Sequence, residues 1–229
     1  MRILNLFFTF FAVVFLAGFS SAQDWANTSR FKDENTKLAS PSSGETRVVF
    51  MGNSITEGWI NTDPDFFAAK SYVNRGISGQ TTPQMLVRFR PDVINLKPVV
   101  VVILAGTNDI AGNSGPSTLE MIMDNLISMT ELAKANKIKV VLSSVLPAFD
   151  YPWKPGLEPA PKIVKLNEMI KNYAEMNHIV YLDYFSSTVD ELNGLKKEYT
   201  SDGVHPNMAG YRIMEPLAEA AIKKALGKK

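Results

Sequence analysis

The chain has 229 residues, of which 45% are hydrophobic, and its 24 basic side chains are nearly balanced by 23 acidic ones. This composition is typical of a one-domain globular protein with a sizeable core, and it offers no basic surface for nucleic acid. The absence of cysteine excludes disulfides, thiol nucleophiles, cysteine zinc sites and a lipid-anchoring cysteine, and with only two histidines we predict neither a metal centre nor another cofactor.

The first 22 residues form a predicted secretory leader. Arg2 precedes an apolar run, and Ser20 and Ala22 fit the small-residue rule for a cleavage site. The alternative is an uncleaved membrane anchor, but the run is shorter than the roughly 20 residues that a membrane-spanning helix needs. We therefore expect cleavage near Ala22 and Gln23, export to the periplasm or the cell exterior, and no membrane attachment afterwards.

One domain is predicted after the leader. Residues 23 to 46 are polar without a strong period, and we interpret them as an N-terminal extension ahead of a domain over residues 47 to 229. In that domain, short β-branched runs alternate with longer amphipathic segments, which predicts a parallel sheet with helices on both faces. The predicted strands are Arg47 to Met51, Tyr72 to Asn74, Val99 to Leu104, Lys139 to Ser143 and Ile179 to Leu182.

Helical patterns occupy four segments between and after these strands. They cover residues 82 to 95, 117 to 137, 161 to 176 and 208 to 226. In the second segment, Ser117 stands three residues before Glu120, which is the spacing of a capping box. Residues 144 to 161 contain five prolines and several aromatic residues, and they are predicted to form a long ordered loop.

Polar side chains that can do chemistry follow the predicted strands. Ser54 comes just after the first strand, Gly79 after the second and Asn108 after the third. Asp202 and His205 come after the fifth strand, just before the last helix. Because ligands of an open α/β sheet bind at the carboxyl ends of its strands, we expect these residues to converge on one edge.

His205 is the candidate base. His178 lies at the junction of a helix and a strand, where imidazole is a common structural feature, whereas His205 has a carboxylate three residues earlier. That spacing lets Asp202 accept a hydrogen bond from Nδ1 of His205 and leaves Nε2 to face Ser54. Serine hydrolysis needs such a set of a hydroxyl, a base and a group that orients the base.

Serine hydrolysis also needs donors for the oxyanion. Gly79 has no side chain, so its backbone N–H can approach the developing oxyanion closely, and the side-chain amide of Asn108 offers a second donor. Taken one at a time, these residues and Ser54 are ordinary turn, cap or surface residues. Their order along the chain and their shared position at strand ends favour a serine hydrolase.

The segments that carry these residues read MGNSITEGW, NRGISGQTT, LAGTNDI and SDGVHPNMAGY. They resemble, in the same order, the four blocks that give the SGNH (or GDSL) hydrolases their name. The resemblance implies that Ser54 is the nucleophile and that His205 is the base, oriented by Asp202. It also implies an oxyanion hole made by the backbone N–H groups of Ser54 and Gly79 and by the Asn108 side chain.

The resemblance covers residues 51 to 211, nearly all of the predicted domain, and implies a flavodoxin-like, three-layer α/β/α sandwich with a five-stranded parallel sheet. One departure is Asn53, which stands where the family usually has Asp, so local hydrogen bonding and pH response are expected to differ. The α/β-hydrolase fold is disfavoured, because Thr56 replaces the second glycine of a nucleophile elbow and Asp202 is too close to His205.

The resemblance extends to secreted acetylhydrolases and carbohydrate esterases. Trp59, Tyr151 and Trp153 lie near the predicted site, and aromatic faces at a pocket mouth pack on sugar rings or on lipid. Equally, these side chains could simply hold the proline-rich loop in place. Our hypothesis is a secreted carboxylic ester hydrolase that removes acetyl or other short acyl groups from a glycan.

Two alternatives remain at this stage. The first keeps the chemistry and changes the substrate to a lysophospholipid, a thioester or a related lipid ester, which acyl chain-length preference would distinguish. The second is a glycan-binding protein that has kept the fold without catalysis. It is disfavoured because Ser54, His205 and both oxyanion donors are present.

Overall fold

The computed structural model describes residues 24–68 and 70–227, so the predicted leader lies outside the described residues. The strands are β1 (Val48–Gly52), β2 (Tyr72–Gly76), β3 (Val100–Leu104), β4 (Lys139–Ser143) and β5 (Val180–Leu182). The α-helices are α1 (Lys32–Lys37), α2 (Ser54–Thr62), α3 (Pro64–Ala68), α4 (Thr82–Asp92), α5 (Thr107–Ile110), α6 (Leu119–Ala135), α7 (Pro159–Met176), α8 (Phe185–Thr188) and α9 (Met208–Ala225). Short 3-10 helices occupy Ile94–Leu96 and Lys197–Tyr199.

The five strands form one parallel sheet in the order β2-β1-β3-β4-β5. Successive residues of β1 point to opposite faces: Val49 and Met51 enter a core shared with α4, α6 and α7, whereas Val48 and Phe50 enter one shared with α2, α3 and α9. Both faces are covered, which explains why β1 and β3 are apolar throughout. The predicted three-layer α/β/α sandwich with a five-stranded parallel sheet is confirmed.

The predicted strands match the observed ones to within two residues at each end. The largest difference is β2, which continues past Asn74 to Gly76, and β1 likewise continues to Gly52. These two glycines are partners in the parallel ladder. Glycine has little strand propensity, but the backbone hydrogen bonds of the sheet continue through both residues up to the edge where the polar residues lie.

Two helix starts differ from the sequence prediction. The N-cap of α6 is Thr118, whose hydroxyl accepts from the Met121 backbone N–H, so the capping box predicted at Ser117 is wrong by one residue. A capping box does occur at the start of α4, where the side chains of Thr81 and Gln84 each accept a hydrogen bond from the other residue's backbone N–H. The irregular segment predicted over residues 144 to 161 is observed, but it ends at Glu158, because α7 begins at Pro159, two residues before the predicted start at residue 161.

The N-terminal extension packs against the domain. Ala26 and Phe31 are buried, and helix α1 lies against α4. Within residues 24–68 and 70–227, no helix has the length and apolar character needed to cross a membrane.

Candidate active site

Ser54 is the first residue of α2, immediately beyond the carboxyl end of β1. The preceding residue, Asn53, is the N-cap, and its Oδ1 accepts a hydrogen bond from the Ile55 N–H at 3.0 Å. This cap needs only an acceptor oxygen, which Asn and Asp both possess, so the Asn at this position leaves the local turn intact. The first N–H groups of a helix lack intrahelical acceptors, and the Ser54 N–H is therefore free to bind an anion.

His205 and Asp202 lie on the segment that leads into α9. Ser54 Oγ is 2.9 Å from Nε2 of His205, and Nδ1 of His205 is 2.7 Å from Oδ2 of Asp202. The other carboxylate oxygen of Asp202 accepts the backbone N–H groups of Val204 and His205 at 2.9 and 2.8 Å. The structure thus brings together the three side chains that the sequence singled out for nucleophilic chemistry.

The Asp202 carboxylate is held in its ionised form. Partial burial alone would raise its pKa, but the backbone and ring hydrogen bonds from His205, with that from the Val204 N–H, lower the pKa to about 2. A carboxylate in this state accepts hydrogen bonds only, which fixes a proton on Nδ1 of the imidazole and leaves Nε2 as an acceptor for the Ser54 hydroxyl.

Gly79 lies at the centre of a short loop after β2 (residues 77–80), which we call the oxyanion loop after the role that the family resemblance implies for Gly79. Its φ angle is +77°, a conformation that disfavours any residue with a Cβ. The Gly79 carbonyl accepts from Nδ2 of Asn113 at 3.2 Å, and the Ser78 N–H donates to Glu57 at 2.8 Å. Within the described residues, the Gly79 N–H has no hydrogen-bond acceptor, as expected of a group that serves a ligand.

Asn108 lies in the first turn of α5, just beyond the carboxyl end of β3, and is almost fully buried. Its Nδ2 donates one hydrogen to the Gln80 carbonyl at 2.9 Å, which fixes the orientation of the amide. A side-chain amide nitrogen carries two hydrogens, so the second remains available for a substrate oxygen. The contact also ties Asn108 directly to the oxyanion loop.

Asp109, which sequence reasoning did not single out, joins α5 to α4. Its carboxylate accepts from the backbone N–H of Thr82 at 2.9 Å and from the Thr82 hydroxyl at 2.6 Å. Burial raises the pKa of Asp109 to about 6, although these hydrogen bonds oppose the rise. The helix-capping role has no distinct sequence signal, because the carboxylate comes from a different element than the helix it caps.

Arg88 is a second side chain that the sequence did not reveal. It is completely buried in α4, pairs with Asp92 at 3.0 Å, and donates to the carbonyls of Gly52 and Arg75 and to the side chain of Gln80. The i,i+4 spacing of Arg88 and Asp92 is visible in the sequence, but such pairs usually lie on a solvated face. Only the fold shows that this pair is internal.

Trp59 does not line the site, and the prediction that it binds substrate is wrong. Its ring is 1% exposed and stacks between Phe66 and Tyr211, with ring centroids 4.7 and 5.4 Å apart. The physical reason is that α2 is amphipathic: Ile55 and Trp59, four residues apart, both face the core between the sheet and α9.

Tyr151 and Trp153, the other two predicted substrate-binding aromatic residues, differ in exposure. Tyr151 is fully buried and its hydroxyl bonds with the Thr107 hydroxyl at 2.8 Å, so a direct sugar-contacting role is wrong for this residue. Trp153 is 45% exposed, stacks on Tyr151 at 5.1 Å and lies 6.0 Å from the His205 ring. Tyr151 thus supports both the Asn108 turn and Trp153, and only Trp153 presents a face beside the site.

A cavity of about 620 Å³ opens beside Asp202, between the proline-rich loop after β4 and the chain before α9. Its apolar walls are formed by Phe149, Pro152, Pro155, Leu192 and Leu195, and its polar side chains include Asp150, Asp190, Lys197, Thr200 and Ser201. Phe149 and Leu192 are strongly exposed, at 61% and 66%. The cavity can accept a bulky group that combines apolar faces with hydroxyls.

In the part of the chain that the structure describes, no cluster of three or more His, Asp or Glu side chains is arranged to hold a metal ion. His178 follows α7 with a positive φ angle, at the amino end of β5 and thus at the opposite edge of the sheet from Ser54.

Comparison with known proteins gives a consistent result. Residues 50–213 match the GDSL-like Lipase/Acylhydrolase family. A crystal structure of a GDSL-like lipase from Bacteroides thetaiotaomicron VPI-5482 superposes with a TM-score of 0.85 at 54% identity, covering 87% of this chain and 98% of that one. Esterase TesA of Pseudomonas aeruginosa is 26% identical over 75% of this chain and 82% of its own length. Platelet-activating factor acetylhydrolase IB subunit alpha2 of Rattus norvegicus is 24% identical over 78% of this chain and 77% of its own length.

Proposed function

Because the chain belongs to the GDSL-like lipase/acylhydrolase family and is therefore an ester hydrolase, we propose that it is a serine esterase that removes acetyl or other short acyl groups from carbohydrates. The observation that carries the proposal is the continuous line of hydrogen bonds from Ser54 Oγ through the His205 ring to Asp202, at 2.9 and 2.7 Å. In this arrangement the imidazole can take the proton of the Ser54 hydroxyl, and the carboxylate orients the imidazole.

In the first half of the proposed reaction, Ser54 Oγ attacks the ester carbonyl carbon. Its proton moves to Nε2 of His205, and the carbonyl π electrons move to the oxygen, which becomes an oxyanion. The N–H groups of Ser54 and Gly79 and the amide of Asn108 donate to that oxygen, and each such donor contributes roughly 3 kcal/mol to the stability of the transition state in a serine hydrolase. When the oxyanion collapses, the alcohol leaves with the proton from His205, and an acyl-enzyme remains.

In the second half, a water molecule takes the place of the alcohol. His205 Nε2 removes a proton from the water as it attacks the acyl carbon, and the same donors bind the second oxyanion. Collapse releases the carboxylic acid and returns the proton to Ser54 Oγ. Asp202 remains ionised throughout, because its pKa of about 2 lies far below neutral pH.

The position of the large cavity supports a small acyl group and a large alcohol. His205 must protonate the departing alcohol oxygen, so the alcohol part of the ester lies on the side of His205 and Asp202. The cavity of about 620 Å³ borders Asp202, although neither Ser54 nor His205 lines it, and its walls combine exposed aromatic and aliphatic faces with acidic and hydroxyl side chains. Sugars bind to such mixed surfaces through ring faces and hydroxyl groups.

A lipid ester is the second candidate substrate. A relative at 24% identity is a platelet-activating factor acetylhydrolase, and the apolar walls at Phe149 and Leu192 offer a surface on which an alkyl chain could pack. This candidate keeps the short acyl group and changes only the alcohol. A lysophospholipase or thioesterase, in contrast, would need to accept a long acyl chain.

The test compares the purified protein with Ser54→Ala on p-nitrophenyl esters of increasing acyl length, and then on acetylated oligosaccharides and acetylated lipids. We expect hydrolysis of the acetyl ester that is lost in Ser54→Ala, a rate that falls with acyl length, and acetate release from a saccharide. Preference for long acyl chains with no acetate from any saccharide would overturn the carbohydrate proposal. Equal rates for the two proteins would remove Ser54 from the chemistry and favour a binding function.

Export is also part of the proposal. The predicted leader over residues 1–22 supports it, since a charged start, an apolar run and small residues before Gln23 are what a signal peptidase requires. N-terminal mass spectrometry of protein from the periplasm or medium of expressing cells is expected to find Gln23 as the first residue. An intact Met1 in a membrane fraction would favour the uncleaved anchor instead.

A further inference from the structure

The oxyanion loop (residues 77–80) is held mainly by contacts from outside itself. On one side Glu57, one turn after Ser54 on α2, accepts both the backbone N–H and the hydroxyl of Ser78. On the other side the Gln80 side chain is fixed between a donor, Arg88, and an acceptor, the Ala26 carbonyl. The Gly79 N–H has its direction set by these flanking residues, because the glycine has no side chain of its own.

Gln80 connects the loop to the N-terminal extension. Its Oε1 accepts from the buried guanidinium of Arg88, and its Nε2 donates to the carbonyl of Ala26 at 2.6 Å. One turn into α4, Nε2 of Gln84 donates to the Trp25 carbonyl at 2.7 Å. Two backbone carbonyls of the extension thus receive hydrogen bonds from the loop and from the helix that follows it.

A second group of contacts links the N-terminal extension to the same loop. Arg30 lies 3.8 Å from Glu57, the residue that holds Ser78, although this pair is largely exposed and contributes little by itself. Phe31 is 5% exposed, and its ring lies beneath the guanidinium of Arg75, whose carbon is 4.5 Å from the ring centroid. Arg75 is the last residue but one of β2, the strand that leads into the loop.

A third set of contacts anchors the segment at α1. Oδ1 of Asn35 accepts from Arg75 at 2.7 and 3.0 Å, and its Nδ2 donates to Asp92 at 2.7 Å. Asp92 is the partner of Arg88. The contacts of residues 25–35 therefore converge on the two ends of the oxyanion loop and on the ion pair beneath it, rather than being spread over the domain.

We propose that residues 24–38, which we call the N-terminal brace, are positioning residues for catalysis: they hold the oxyanion loop so that the Gly79 N–H points at the substrate oxygen. This inference rests on the proposed function, because it gives the brace a role in the same reaction. Among the described residues, the side chain of Ser54 bonds to that of His205 and His205 to Asp202, and neither bonds to the brace. Its effect is on the donor geometry, where a displacement of a few tenths of an ångström weakens a hydrogen bond that matters only in the transition state.

The test uses Phe31→Ala in the otherwise unchanged chain, because Phe31 is a buried residue of the brace whose ring packs against Arg75. Loss of a whole oxyanion donor lowers kcat by about 10²–10³-fold, so a loosened donor is expected to lower it by about tenfold, with KM changed by less than about twofold. Phe31→Leu, which refills most of the space, is expected to recover most of the rate. Ile222→Ala, at a similarly buried position near the end of α9, controls for general loss of packing.

A second measurement does not depend on activity. Hydrogen exchange of the peptide over residues 76–81 is expected to be faster in Phe31→Ala than in the unchanged protein or in Ile222→Ala. Unchanged exchange and unchanged kcat in Phe31→Ala would overturn the proposal, as would an equal loss of kcat in the control. If the unchanged protein shows no Ser54-dependent hydrolysis, the proposed function fails, and the exchange result alone decides whether the brace holds the loop.

Discussion

At the scale of single residues, Asp202 determines which nitrogen of His205 carries the proton. In Asp202→Asn, the amide oxygen would keep accepting from the backbone N–H groups of Val204 and His205. In the opposite orientation, the NH₂ group of the asparagine would face these two N–H donors, which is unfavourable, so the first orientation prevails. The amide nitrogen then faces Nδ1, moves the ring proton to Nε2 and deprives Ser54 of its base.

We therefore expect Asp202→Asn to lower kcat by about 10³–10⁴-fold while KM stays nearly constant. The measurement is steady-state hydrolysis of p-nitrophenyl acetate, with circular dichroism as the control for folding. A variant that keeps more than a tenth of the rate would show that Asp202 does not orient the base.

Asp109 is expected to make the stability of the protein depend on pH, because its pKa is raised on folding. The carboxyl titrates near 3.8 in the unfolded chain and at about 6 in the folded protein. Between these values the folded protein holds a proton that the unfolded chain has released, so a rise in pH through this window removes stability. The loss amounts to about 1–3 kcal/mol, since one unit of pKa corresponds to about 1.4 kcal/mol.

The comparison is urea unfolding of the unchanged protein and of Asp109→Asn between pH 4 and pH 7. Other carboxyls titrate in both proteins, so the difference between the two curves isolates this residue. We expect the unchanged protein to lose stability relative to the variant as the pH rises. Parallel curves would mean that Asp109 has the same pKa in both states.

At the scale of elements, the sequence predicted strands better than the faces of short helices. The interior of β4 is an uninterrupted apolar run, and its predicted bounds are the observed ones. The sequence pattern does not predict the nine-residue helix α2, and it therefore places Trp59 at the pocket mouth. Its spacing of four from Ile55 was the available signal, but a single helical pair next to polar residues is weak in isolation.

The proline-rich loop after β4 (residues 144–158) presents one of its aromatic side chains to the site. Trp153 rests on the buried Tyr151, and Lys154 donates to the Ala111 carbonyl at 2.8 Å, so the loop is fixed at both residues. Because Trp153 lies beside His205 on the side of the proposed alcohol, Trp153→Ala is expected to raise KM for an acetylated oligosaccharide by about tenfold.

The same variant is expected to leave KM for p-nitrophenyl acetate within about twofold, because p-nitrophenol is smaller than an oligosaccharide and does not depend on packing against the Trp153 ring. Met176→Ala, which removes an exposed apolar side chain at the opposite edge of the sheet, is the control. Equal effects on both esters would mean that Trp153 shapes the catalytic centre rather than the sugar site.

At the scale of the whole molecule, the site depends on strand order, which the sequence does not contain. The run of apolar and amphipathic segments predicts a parallel sheet, but Ser54 and His205 are 151 residues apart and meet only because β1 lies inside the sheet and α9 packs across it. The family resemblance supplied this order. It could not supply Arg88 or the N-terminal brace, because no local pattern shows that an ion pair is buried or where an extension packs.

Arg88 connects the interior of the fold to the candidate active site. It is fully buried and still ionised at neutral pH, because burial lowers its pKa only to about 10 and Asp92 opposes the fall. Its guanidinium joins the carbonyl of Gly52, two residues before Ser54, to that of Arg75 before the oxyanion loop. Arg88→Met leaves Asp92 buried without its cation, so we expect a loss of about 3–5 kcal/mol in the free energy of unfolding.

The double variant Arg88→Met/Asp92→Leu removes both charges and is expected to recover much of that stability, since an apolar pair of similar volume needs no desolvation of ions. It is not expected to recover catalysis, because the carbonyls of Gly52 and Arg75 and the side chain of Gln80 still lose their common donor. Urea unfolding and kcat measured on the same preparations separate the two effects. If stability and kcat recover together, Arg88 acts only through the stability of the fold; if stability alone recovers, the buried guanidinium aligns the nucleophile with the oxyanion loop.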